Sequence, residues 1–96
     1  MNTFESNPYV MNNKTGKAYC VTTDTLQTRN RRQVVGTGIR NPEITQIAES
    51  HLTQIDGAAI HVCFEAERII RGKHKLSDAD RQVLAMYRAL QSVIVK

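Results

Sequence analysis

The residues best equipped for chemistry in this chain are cationic. Arg29, Asn30, Arg31, Arg32 and Gln33 are consecutive, and Lys14 and Lys17 lie in and beside an upstream Asn-Asn-Lys-Thr-Gly segment. Lysine and arginine displace counterions from phosphates, while Arg, Asn and Gln hydrogen-bond to base edges. Tyr9 and Tyr19 add ring faces on which a base would stack. Together these side chains are suited to nucleic-acid binding. A second anion signal follows in Val34-Val35-Gly36-Thr37-Gly38-Ile39-Arg40-Asn41-Pro42, read as strand, Gly-x-Gly turn, arginine and helix start. The unpaired N–H groups of a helix N-terminus favour an anion, glycines let the backbone approach it, and Arg40 supplies a bidentate donor. The dinucleotide fingerprint wants a third glycine where this chain has Asn41.

Catalytic chemistry finds no comparable set. His61 and Cys63 are two positions apart, which on a helix points them in opposite directions and leaves the thiol without a base. Cys20 has no neighbouring base, and no Gly-x-Ser-x-Gly elbow presents a serine. His61 and Glu65 have the i, i+4 spacing of two ligands but lack a third, and there is no Cys-x-x-Cys or His-Glu-x-x-His. Glu65 and Glu67 diverge on one helix, and Asp78 and Asp80 belong to a helix start, so no opposed acid pair exists. The expectation is a protein that is not an enzyme and holds no metal or cofactor.

The charge distribution favours the anion reading. The net charge is +4, and residues 1–40 carry all of it: Lys14, Lys17, Arg29, Arg31, Arg32 and Arg40 face only Glu5 and Asp24. Residues 41–96 balance seven basic side chains with seven acidic ones. A one-sided excess suggests an anionic partner for that end of the molecule. At 96 residues, 41% of them hydrophobic, the chain is expected to form a single domain, 1–96, with one modest core. No apolar run approaches the length of a bilayer span, and the first residues lack the basic and apolar regions of a signal peptide. Two cysteines make no disulfide framework, so a reducing, cytoplasmic setting is expected.

These side chains must be held by local elements, and the sequence divides them in two. Residues 1–40 read as a basic β/loop segment. Pro8–Met11 and Lys17–Thr23 have strand composition about a turn, and Gln33-Val34-Val35 forms a third short strand. Residues 41–96 read as a helical hairpin. Ala48, Leu52, Ile55, Ala59, Val62, Ala66 and Ile69 alternate spacings of four and three, predicting a helix over 42–71 capped by Asn41 and closed by a left-handed Gly72. Ser77-Asp78-Ala79-Asp80 resembles a capping box, and Ala79, Val83, Met86, Leu90 and Val93 predict a helix over 78–94. The expected fold is therefore α+β: a small N-terminal β-hairpin or short meander plus a long C-terminal antiparallel α-hairpin.

Helix lengths then pose a covering problem. A helix over 42–71 is about 45 Å long and its neighbour about 26 Å, so the shorter cannot wrap the longer. The stretch from Gly57 to Phe64 is apolar nearly all round, with Ile60 and Phe64 off the seam. This predicts self-association, with long helices crossing at Gly57 and burying Ile60 and Phe64. The functional expectation is a small binding or regulatory protein that oligomerises through its hairpin. It would contact an anionic partner, above all nucleic acid, through segment 14–40. The alternatives are a protein-binding adaptor or inhibitor using the apolar face of helix 42–71, and nucleotide sequestration by the Gly36–Arg40 turn.

Overall fold

The computed structural model describes residues 3–22, 30–36, 43–72 and 74–96. The fold is α+β. A short helix α1 (Thr3–Ser6) leads into strands β1 (Tyr9–Asn12), β2 (Ala18–Val21), β3 (Arg31–Gly36), β4 (Ile44–Ala48) and β5 (Leu52–Gln54), followed by helices α2 (Gly57–Arg71) and α3 (Asp78–Ile94). A single turn of 3-10 helix, Glu49–His51, joins β4 to β5. The five strands are antiparallel in the order β4-β3-β2-β1-β5. This sheet is larger than the expected hairpin or meander.

The expected helix over 42–71 is corrected by the structure. Residues Ile44–Ala48 and Leu52–Gln54 are strands, and the helix begins only at Gly57. The region 41–96 is therefore not one helical hairpin, and its described first part completes the sheet. The physical reason lies in Ile44-Thr45-Gln46-Ile47 and Leu52-Thr53-Gln54-Ile55. Their β-branched side chains are stiff at χ1 and lower helix propensity, and short apolar runs fit both periods. Pairing decides between them. β3 lies beside β2 on one side, and β4 fills the other over five residue pairs from Arg31↔Ala48 to Val35↔Ile44. At the true helix start, the Asp56 side chain accepts a hydrogen bond from the Ala59 N–H at 2.7 Å, a standard N-cap. The expected cap at Asn41 and Pro42 lies outside the described residues.

The other helix ends are close to expectation. α3 spans the predicted residues, and its capping box is complete: Asp80 N–H donates to Ser77 Oγ at 3.1 Å and Ser77 N–H to Asp80 Oδ2 at 3.1 Å. Gly72 follows α2, but at φ −69° and ψ 146° it is extended rather than left-handed. Ala58, Ala59 and Val62 of early α2 line a groove with Met86 and Leu90 of late α3. Arg68 and Ile69 share another with Asp80 at the start of α3, so the two helices run in opposite directions.

Connection lengths dictate the shape of the sheet. β4 and β5 occupy opposite edges, which in a flat sheet would be separated by about 19 Å at ~4.8 Å per strand. A three-residue 3-10 turn rises only about 6 Å. The sheet must therefore roll, bringing its edges together. Burial agrees: Val10, Tyr19, Val21, Val34 and Ile47 form a core on the face that α2 and α3 do not cover, joined by Leu52 and by Phe4 of α1. A sheet face buried without a full layer over it is folded on itself. The opposite face packs Met11 and Ala18 against Cys63, Ala66 and Tyr87 of the helices.

A polar clasp ties the helices to the first hairpin. The Gly16 carbonyl accepts from Tyr87 OH at 3.2 Å and from Gln91 Nε2 at 3.0 Å. Lys96 N–H donates to the Asn13 carbonyl at 3.0 Å. Burial pushes the Tyr87 phenol up to about 12 from an ordinary 10.0, with Glu67 and Cys63 adding to the rise. Burial likewise pushes the Cys63 thiol up to about 11 from 9.0. Both acids bind their protons more tightly folded than unfolded. Their contribution is complete below the ordinary values and is lost as pH rises through the folded ones. Urea midpoints should therefore fall across the alkaline range, and Tyr87→Phe should flatten that fall by the tyrosine's share.

Candidate nucleic-acid interface

The described cationic candidates do not form one patch. Lys14 is exposed in the β1–β2 turn, its backbone N–H bonded to Asn12 Oδ1 at 2.9 Å. Lys17 follows the turn and pairs with Glu43, Nζ to Oε2 at 2.9 Å, which raises the lysine pKa. Arg31 and Arg32 stand at the far end of β3. Strand register puts Gly36 beside Tyr19, near Lys17, and Arg31 beside Ala48. Five residues of strand separate the two ends, about 17 Å, the rise of about five base pairs. Arg29 and Arg40 lie outside the described residues, as does Gly38.

Adjacent arginines have opposite fates because a strand alternates its faces. Arg32 turns toward the rolled core and is buried, with its guanidinium 4.9 Å above the Phe4 ring and Nη2 3.5 Å from Glu49 Oε1. Arg31 turns outward and is exposed, and its Nη1 donates to the Gln46 carbonyl at 3.2 Å. Gln33 and Val35 share the Arg31 face. Directly across on β4 stand Ala48, Gln46 and Ile44. The main contacts of α2 with the sheet are to β1 and β2 rather than to β3 and β4. The result is an open face on which Arg31, Gln33 and Gln46 adjoin, with Gln46 exposed and Ile44 66% exposed. Gln46 and Ile44 were hidden from sequence reasoning by the helical assignment of their segment, although the alternation of Ile44, Thr45, Gln46 and Ile47 carries the strand signal.

Several expected roles are corrected. Tyr19 is only 4% exposed and belongs to the rolled core, and Tyr9 packs against the helix-side core, so neither offers a free stacking face. The phosphate turn loses its premise. Gly36 N–H donates to the Glu43 carbonyl at 2.7 Å, and the next described element is strand β4 rather than the helix expected from residue 42. The crossing point expected at Gly57 is the first residue of α2, and a Cβ added there would meet no described heavy atom within 4 Å. Ile60 packs against the chain's own core, and Phe64 is 36% exposed. The long rod that required a partner does not exist. Since Gly57 is unconstrained, Gly57→Ala should raise stability by about 0.5–1 kcal/mol through helix propensity and a stiffer unfolded chain. Thermal or urea unfolding checks this gain.

Among the described residues no group of three or more His, Cys, Asp or Glu side chains is placed to hold a metal ion. Glu65, one helical turn beyond His61, accepts from Arg68 Nη2 at 2.9 Å. Cys20 and Cys63 are free thiols, and burial raises the pKa of each, which disfavours the nucleophilic thiolate. No described helix is long and apolar enough to cross a membrane. Comparison with known proteins adds no further guide, because no family model, curated protein or solved structure matches the chain.

Proposed function

We propose that this protein is a non-enzymatic, cytoplasmic nucleic-acid-binding protein whose contact surface is the open β3–β4 face, with Lys14 at the opposite end of the same basic half. The observation that carries this reading is the shared outward placement of Arg31, Gln33 and Gln46 on paired strands. Arginine and glutamine hydrogen-bond base edges and phosphates, and a sheet fixes their spacing better than a loop does. The one-sided net charge of +4 supplies the long-range attraction.

The test is titration of labelled single-stranded DNA, single-stranded RNA and duplex at several salt concentrations. Binding should weaken steeply with salt, and Arg31→Ala should lower affinity about tenfold and reduce the salt slope by about one. Gln33→Ala with Gln46→Ala should reduce discrimination between sequences more than it reduces affinity. Binding insensitive to salt and to Arg31→Ala would remove the reading.

A second reading has its own observation. The outer groove between α2 and α3, about 230 Å³, is lined by Ala58, Ala59, Val62, Met86 and Leu90. Met86 is 54% exposed, and Val93, two helical turns along α3, is 83% exposed. Such a surface suits a protein partner or a second copy of the chain. Met86→Asp with Val93→Asp should abolish an association of this kind and leave nucleic-acid binding intact.

A further inference from the structure

The unusual feature of the rolled core is a charge. The Arg32 side chain is nine-tenths buried. Ile47 stands directly across from it, Val34 is its neighbour on the same face, and the Phe4 ring covers it. A guanidinium carries five N–H donors. Nη2 has Glu49 at 3.5 Å, a long contact to a carboxylate that is itself 42% exposed, while Nε and Nη1 have no hydrogen-bond partner among the described residues. A desolvated cation with so few acceptors is costly to keep. It is also a strong receptor for any oxyanion that reaches it, because charge-assisted bonds to a planar guanidinium are short and geometrically matched.

Among the described residues, the Phe4 ring lies over the Arg32 guanidinium. The ring belongs to a four-residue helix, far too short to be stable by itself. The chain is pinned just beyond it. The Asn7 carbonyl accepts from Gln54 Nε2 at 2.9 Å, and the Pro8 carbonyl accepts from Val21 N–H at 2.8 Å. A swing about Asn7 therefore moves Phe4 while β1 keeps its register. Exposed Arg31, next in the chain and on the outer face, would raise the local concentration of anions at this end of β3.

We propose that Arg32 is a phosphate-binding residue kept closed by Phe4: the first helix lifts, the ring leaves the guanidinium, and a phosphate oxyanion takes its place. The ligand chemistry is a phosphate group, whether free or in a nucleic-acid backbone. The site does not depend on the β3–β4 face being the nucleic-acid surface.

The experiment is a titration of the full chain with inorganic phosphate, read at the Arg32 Nε–Hε resonance. Phosphate should shift that signal, Phe4→Ala should tighten the apparent affinity about tenfold by removing the closed state, and Arg32→Met should abolish the response. Phe4→Leu, which keeps an apolar cover without the ring face, should give an intermediate gain and serves if Phe4→Ala fails to fold. A parallel arm uses an oligonucleotide and its uncharged methylphosphonate analogue. Tightening by Phe4→Ala of the charged oligomer alone assigns the phosphate to a nucleic-acid backbone. Tightening of inorganic phosphate alone assigns it to a free ion, and either result upholds the site. An Arg32 signal unmoved by either ligand in wild type and the Phe4 variants, or affinities for inorganic phosphate and for the charged oligomer that are both equal with and without the ring, overturns it. Unchanged oligonucleotide binding in Arg31→Ala with an intact Arg32 response would discard the surface proposed above and leave this site standing.

Discussion

Gly16→Val is expected to lower the unfolding free energy by about 3 kcal/mol, the sum of a conformational and a contact effect. Gly16 has φ +78°, in the left-handed region, where an L-residue with a side chain is disfavoured by about 1–2 kcal/mol. A Cβ there would stand 2.6 Å from Gln91 Nε2 and 3.2 Å from Val95 Cγ2. Gln91 can retreat, but only by giving up its bond to the Gly16 carbonyl, and the turn's shift strains the Tyr87 bond to the same oxygen. Each such bond is worth about 1 kcal/mol. Urea unfolding should show a lower midpoint with an unchanged slope. A loss of only about 1–2 kcal/mol, the conformational part alone, would mean that α3 is not docked on the first turn. The contrast with Gly57→Ala is informative, since the same residue type is expected to change stability in opposite directions at its two positions.

Met11→Ala is expected to cost about 3 kcal/mol. Met11 is fully buried at the centre of β1, where sheet and helices meet among Ala18, Ile55, Cys63, Ala66 and Tyr87. Truncation removes apolar surface and leaves a cavity that strands on both sides hold open, since β1 pairs with β2 and with β5. A domain of this size has only about 5–15 kcal/mol of stability in total, so the loss should appear as a large drop in melting temperature. Met11→Leu, close in volume, should recover most of it. If Met11→Ala melts like wild type, the helices do not cover this face of the sheet in solution.

Much of this architecture is readable from local chemistry. The first hairpin, the third strand, and α3 with its cap follow from Asn and Gly turn residues, β-branched runs and Ser77-Asp80. The failure lies at residues 44–56. Ala48, Leu52 and Ile55 continue a four-three spacing into Ala59, and that coincidence extended a real helix backward through two strands. The contrary signal was present. Asp56-Gly57 is a poor helix interior and a good helix start, and the cap bond to Ala59 shows that it serves as one. Gly57 instead suggested a close helix crossing, and the self-association argument followed from it. The site suffered from the same error. Arg31 and Gln33 are legible as polar strand residues, but their partners Gln46 and Ile44 require β4, and β4 is fixed by pairing across the chain rather than by local preference. Burial of Arg32 beside exposed Arg31 follows from strand alternation once the register is known.

The clasp at Gly16 also bears on how the molecule is made. Its donors lie 71 and 75 residues downstream. During synthesis the first hairpin emerges early, yet its turn stays unlatched until Tyr87 and Gln91 leave the ribosome. Strands that pair early must therefore wait, with their helix-side apolar face uncovered, for α3 to be translated. Nascent chains stalled before residue 87 should be readily cleaved by protease at the Asn13–Gly16 turn, and chains in which all of α3 has emerged should resist.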